Sequence, residues 1–136
     1  MDELTRSAET VAARLKARGE TVAVVDSSSG GLISVALLGV AGASAYYRGG
    51  VVVYSADSRE RLLGPAAKTG GDHLNRAEGT LQMARDVRIR LGATWGVAES
   101  GSAGPTGVAP GRTWLALSGP VEATEMIETG DRKSVV

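Results

Sequence analysis

Cysteine and phenylalanine are absent from this chain, and histidine occurs once. Without cysteine there is neither a disulfide framework nor a thiolate metal ligand. A zinc site built on one histidine would need several carboxylates at unusual spacing, and the sequence offers no such cluster. Aromatics are scarce, at three tyrosines and two tryptophans, so the core must be built from Val, Leu, Ile and Ala. No sign of charge prevails. The 15 basic residues balance 15 acidic ones, which removes the net field that draws a protein to nucleic acid or to an acidic membrane. The cluster Arg85, Arg88 and Arg90 reads as the wet face of a helix. The longest apolar region, Leu32 to Ala41, is broken by Ser34 and Gly39 and falls short of the roughly 20 residues of a membrane helix. The start, Met1-Asp2-Glu3-Leu4, lacks the basic and apolar regions of a signal peptide. The expected location is cytoplasmic.

What is present is glycine, at 19 of 136 residues, mostly at junctions between periodic segments. From Leu4 to Lys16 apolar residues recur at helical spacing, and Gly19 is a natural left-handed stop. Thr21 to Val25 is a β-branched apolar run, the mark of a strand buried on both faces. It ends in Asp26-Ser27-Ser28-Ser29-Gly30-Gly31, and helical character resumes at Leu32. Gly42 to Gly50 reads as a loop, Val51 to Tyr54 as a second strand, and Asp57 to Leu63 as a short helix ended by Gly64-Pro65. Lys68 to His73 reads as loop, and the lone His73 receives no role. Asn75 with Glu78 resembles an N-terminal cap for a long helix stopped by Gly92. Ala93 to Ala98 gives a third strand and Glu99 to Gly111 a second small-residue loop. Thr113 to Leu117 and Val121 to Ile127 are strands joined by Ser118-Gly119-Pro120, which reads as a hairpin. Alternating helices and buried strands closed by a hairpin predict one α/β domain over residues 1–136. Its mixed sheet would carry helices on both faces, in three α/β/α layers.

In open α/β sheets, ligands bind beyond the carboxyl ends of the strands. Both candidate loops there, Asp26 to Gly31 and Ser100 to Gly107, consist largely of Gly, Ser and Thr. Small residues let a substrate approach the backbone, and N–H groups opening a helix favour an anion or a developing oxyanion. Composition alone leaves a packing turn equally open.

The motifs add to this. Asp-Ser-Ser-Ser-Gly-Gly-Leu-Ile from Asp26 resembles the Glu-Ser-Cys-Thr-Gly-Gly-Leu signature of the CinA family's C-terminal domain. The segment Gly42 to Ser55 is similar to the family's Gly-Ser-Ser-Ala-Tyr-Phe-x-Gly-Gly-Val-Val-x-Tyr-Ser. Ala93 to Gly107 resembles its Gly-Ile-Ala-Gly-Pro-Thr-Gly block, and Gly130-Asp131-Arg132 its terminal Gly-Asp-Arg. The order is kept, and nearly the whole chain is covered.

This resemblance implies a stand-alone amidohydrolase that converts nicotinamide mononucleotide to nicotinate mononucleotide and ammonia, with no cofactor. It implies catalytic roles at Ser27 (nucleophile), Tyr54 and residue 59. Ser29, Gly30, Gly31, Tyr46, Ser100, Gly104, Thr106 and Arg132 become substrate-binding candidates, Arg132 for a phosphate. A serine hydroxyl needs a neighbouring base, and a lysine or a relaying tyrosine can serve where histidine is absent. The departures matter. Residue 59 is arginine where the family has lysine, and a guanidinium is no general base. Ala56 replaces an asparagine. A nucleotide-binding or partner-binding protein without turnover is therefore the alternative. The expected partner is a small-molecule pyridine nucleotide, with neither nucleic acid nor membrane. The family's last helix normally continues beyond Gly-Asp-Arg, whereas this sequence stops at Val136. A sheet face left open by its absence favours a homo-oligomer, a dimer or higher.

Overall fold

Glu3–Arg18 forms the first helix, α1, because Ala8, Ala12 and Leu15 place one apolar stripe on its inner face. The Asp2 carboxylate caps it by accepting the Thr5 N–H at 2.8 Å. Gly19 ends it in the left-handed conformation, φ 64°, as its position requires. The computed structural model describes residues 2–64, 77–102 and 111–128. Within them the order is α1, β1 (Val22–Asp26), α2 (Leu32–Leu38), a 3-10 turn (Ala43–Ala45), β2 (Tyr47–Val52) and α3 (Ala56–Leu63). Then follow α4 (Ala77–Leu91), β3 (Trp95–Ser102), β4 (Arg112–Ser118) and β5 (Ala123–Glu128).

The sheet runs β2-β1-β3-β4-β5. β1 pairs in parallel with β2 and β3, while β3/β4 and β4/β5 are antiparallel. The mixed sheet and its closing hairpin are as expected. Every residue of β1 is buried, each valine contributing about 2 kcal/mol through burial. Alternation sends Ala23 and Val25 into a cluster with Val53, Leu63, Ala84 and Val87 on the α3/α4 side. Val22 and Val24 pack with Ala12, Leu15, Leu37 and Tyr46 on the α1/α2 side.

Two segments expected as loops are strand. Residues 47–50, from the expected loop Gly42 to Gly50, pair with β1 as the first part of β2, which ends at Val52 where the expected strand ran to Tyr54. Gly50 serves close approach here. A Cβ would lie 2.8 Å from both Val24 O and the Tyr47 hydroxyl oxygen. Similarly, β3 continues past Ala98 to Ser102, because antiparallel pairing with β4 runs out to Ser102 opposite Arg112. The predicted cap at Asn75 and the loop from Lys68 to His73 lie outside the described residues.

On the α1/α2 side, the sheet retains an open apolar cleft of about 360 Å³ lined by Ile33, Val97, Leu115, Leu117 and Ala123. A second, of about 330 Å³, shares Val97 and Leu117 and reaches Val22 and Trp95. Neither is lined by Asp26–Gly31. No described helix is long and apolar enough to cross a membrane.

Candidate active site

Parallel pairing of β1 with β3 sets Val25 beside Ala98, so Asp26 and Glu99 come next, side by side at the carboxyl end of the sheet. Both are buried, Asp26 at 1% exposure and Glu99 at 0%. The chain turns sharply after Asp26, through Gly30 and Gly31 at φ 62° and 95°, values that side-chain-bearing residues rarely adopt.

Glu99 organises that turn. Its Oε1 accepts the backbone N–H of Ser27 and of Ser29, each at 2.9 Å, and lies 2.9 Å from Ser29 Oγ. The Ser28 hydroxyl donates to Glu99 Oε2. Asp26 Oδ2 accepts the Gly31 N–H at 2.6 Å and contacts Ser29 Oγ at 2.8 Å. Burial pushes the Asp26 carboxyl above the ordinary carboxylate range. The contact with Ser29 Oγ and the Gly31 N–H pull it back in part, and the neighbouring charge of Glu99 adds to the rise.

The three consecutive serines therefore differ. Ser28 and Ser29 are buried, with hydroxyls committed to carboxylates. Ser27 is half-buried, and its hydroxyl has no hydrogen-bond partner among the described residues, while its backbone is pinned by Glu99. Ser29, expected at the substrate, is instead part of the loop's internal support. The expected oxyanion donors are also largely spent. Gly30 N–H goes to Ser27 O and Gly31 N–H to Asp26. These bonds close the tight turn before α2, leaving the two glycines a conformational role.

Tyr54 follows β2 at the same end of the sheet, where Val53 N–H donates to Asp26 O. It is 78% exposed and therefore open to a ligand. Arg59, on the short polar helix α3, is only 3% exposed. It sits one turn before Leu63, and that residue packs into the α3/α4-side cluster. Arg59 Nε has no partner among the described residues, and burial pulls the guanidinium below its ordinary value.

Tyr46 is elsewhere. It precedes β2 at the opposite, amino end of the sheet, where its carbonyl accepts the Val22 N–H. Its side chain is fully buried, and its hydroxyl donates to Leu37 O at 2.5 Å. No polar side-chain atom is left for a substrate, because the core claims it. Ser100 is buried beside Glu99. Gly104, Thr106 and Arg132 lie outside the described residues.

Sequence reasoning missed Glu99, which had been read as the first residue of a loop. The parallel β1/β3 register makes it the partner of the serine turn, and no local signal carries that. It also gave no sign of Thr113, buried on β4 opposite Gly101 with a hydroxyl that has no partner among the described residues. Among the described residues no acidic or histidine cluster could hold a metal ion.

Known proteins share this fold. The model of the CinA C-terminal domain matches residues 4–136. A CinA-like protein of Anaeromyxobacter sp. (strain K) is 41% identical over 93% of this chain and 33% of its own length. One of Salinibacter ruber is 42% identical over 74% of this chain and 26% of its own. The chain thus spans about a third or less of these curated relatives. The solved structure of the competence/damage inducible protein CihA from Agrobacterium tumefaciens matches with a TM-score of 0.86 at 26% identity, covering 99% of this chain and 87% of that one. The competence damage-inducible protein A (ComA) of Klebsiella pneumoniae matches with a TM-score of 0.86 at 26% identity, over 98% of this chain and 88% of that one. With the family model matched from Leu4 to Val136, and the signature loop standing at the carboxyl end of β1, this chain belongs to the CinA C-terminal domain family.

Proposed function

We propose that this chain hydrolyses the carboxamide of a pyridine mononucleotide, nicotinamide mononucleotide, to the carboxylate and ammonia, with Ser27 as nucleophile. One observation carries the reading. Of the three serines in the signature turn, Ser27 alone keeps an uncommitted, half-exposed hydroxyl on a backbone fixed from below. In the first step Ser27 Oγ adds to the amide carbon, its proton passes to the leaving nitrogen, and the C–N bond breaks to release ammonia. Water then cleaves the resulting ester, restoring the hydroxyl and freeing the acid. Tyr54, exposed at the same sheet end, supplies a phenol able to relay the proton.

Arg59 favours a second reading, binding without turnover. It replaces the family's lysine with a group that cannot accept a proton at ordinary pH, and it is buried without a hydrogen-bond partner for Nε. Ammonia release from nicotinamide mononucleotide, with calorimetric binding measured in parallel, separates the two. Turnover is the expected result; binding without ammonia would establish the second reading, and neither would overturn both.

A further inference from the structure

Ser29 Oγ sits between two buried carboxyl groups, 2.8 Å from Asp26 Oδ2 and 2.9 Å from Glu99 Oε1. A hydroxyl has one proton to donate. One proton gives a full, linear hydrogen bond to one acceptor; a bond of that strength at both contacts needs a second proton, from a carboxyl group. With both carboxyls ionised, two buried anions would have to share the single serine proton.

The surrounding donors indicate which group is the acid. Glu99 receives the N–H groups of Ser27 and Ser29 and the Ser28 hydroxyl, the surroundings of an ionised carboxylate. Among the described residues Asp26 receives the Gly31 N–H and, as the weakest contribution, its own backbone N–H besides the serine contact, and no second hydroxyl. If Asp26 Oδ2 donates to Ser29 Oγ, Ser29 is free to donate to Glu99, and every contact has its proton.

No compensating cation is bonded to the pair among the described residues. α2 has no charged side chain, β2 sets Val52 beside Asp26, and β4 sets Leu115 beside Glu99. The Tyr47 hydroxyl, from β2, donates to Ser34. Arg112 on β4 is bonded to Glu128. α1 contributes Glu3, Arg6 and Glu9, all exposed. On the other side of the sheet, Arg59 lies with Leu63 in the α3 layer, and α4 brings Arg85, bonded to Glu122, with Asp86 and Arg88.

We propose that Asp26 and Glu99 hold one proton between them through Ser29 Oγ, Asp26 as acid and Glu99 as carboxylate, and that this proton fixes the turn presenting Ser27. Both are positioning residues. They touch the loop and act on the reaction through Ser27. The catalytic half of the inference rests on Ser27 being the nucleophile; the shared proton does not.

Carbon-13 NMR of side-chain-carboxyl-labelled protein, titrated through neutral pH, tests the proton directly. One carboxyl of the folded wild type should keep the chemical shift of an acid at neutral pH and lose that signal in Asp26→Asn. Wild type with every carboxyl ionised at neutral pH would overturn the proposal, whatever the variants do. The second arm is the pH profile of ammonia release. kcat should fall at least tenfold as the Asp26 signal titrates, with KM unchanged, and the fall should vanish in Asp26→Asn. A kcat indifferent to that titration would overturn the positioning role. A shared proton without any ammonia release would remove the amidohydrolase reading and leave the proton in place.

Discussion

Glu99 accepts the backbone N–H of Ser27 at 2.9 Å across 72 positions of sequence. The same carboxylate holds Ser28 and Ser29, so one side chain from β3 supports the whole turn that follows β1. Removing it leaves several buried donors unpaired, each at a cost of about 1–3 kcal/mol. Glu99→Ala should therefore lower the unfolding free energy by on the order of 3 kcal/mol or more, read from the urea midpoint. Glu99→Gln, which keeps an acceptor for the two N–H groups, should lose less than half as much. Equal losses would show that the hydrogen bonds at Oε1 contribute little.

Neighbouring serines should separate stability from activity. Ser28→Ala strips a buried hydroxyl from a carboxylate and should cost about 1–3 kcal/mol. Ser27→Ala removes a hydroxyl with no partner among the described residues, and should stay within about 0.5 kcal/mol of wild type. The comparison is made by urea unfolding of both variants, and it fails if Ser27→Ala proves the more damaging to the fold.

Asp26 should impose a pH dependence opposite to that of most carboxylates. Burial raises its folded pKa above the ordinary 3.8, so the folded state holds the proton more tightly than the unfolded state. That contribution is fully present below the unfolded value and is lost as pH rises through the folded one, by up to about 1.4 kcal/mol per pH unit. Unfolding free energies of wild type and Asp26→Asn, measured from acid to neutral pH, should converge or cross with wild type declining. Parallel curves would contradict it.

Much of this fold is legible in the sequence because its signals are local. The Thr21 to Val25 run, the stop at Gly19 and the restart at Leu32 need only neighbouring residues, and each corresponds to an observed element. Tyr47–Val52 is different. Its glycines read as loop, and only pairing with β1 and the approach of Tyr47 and Val24 atoms to Gly50 make it a strand. The site divides in the same way. Resemblance marks Ser27, but nothing local distinguishes it from Ser28 and Ser29. What separates them is Glu99, delivered by the parallel register of β1 and β3. Tyr46 was misplaced because motif order cannot tell one end of a strand from the other.

Arg59 gives a prediction of unusual sign. Arg59 Nε is buried with no partner among the described residues, which leaves part of the guanidinium's desolvation cost uncompensated, so Arg59→Met should stabilise the ligand-free protein by about 1 kcal/mol. Thermal unfolding checks the direction, and a destabilised variant would mean the guanidinium is paired in solution. Arg59→Lys restores a group able to accept a proton when buried, and it should raise the rate of ammonia release if the missing base limits it.

The most direct test compares ammonia release from nicotinamide mononucleotide by wild type and by Ser27→Ala, after unfolding curves have shown the two equally stable. The account predicts measurable release by wild type and a fall of about 10³-fold or more in the variant. Unchanged release in Ser27→Ala would contradict it, since the free hydroxyl above Glu99 would then have no part in the reaction.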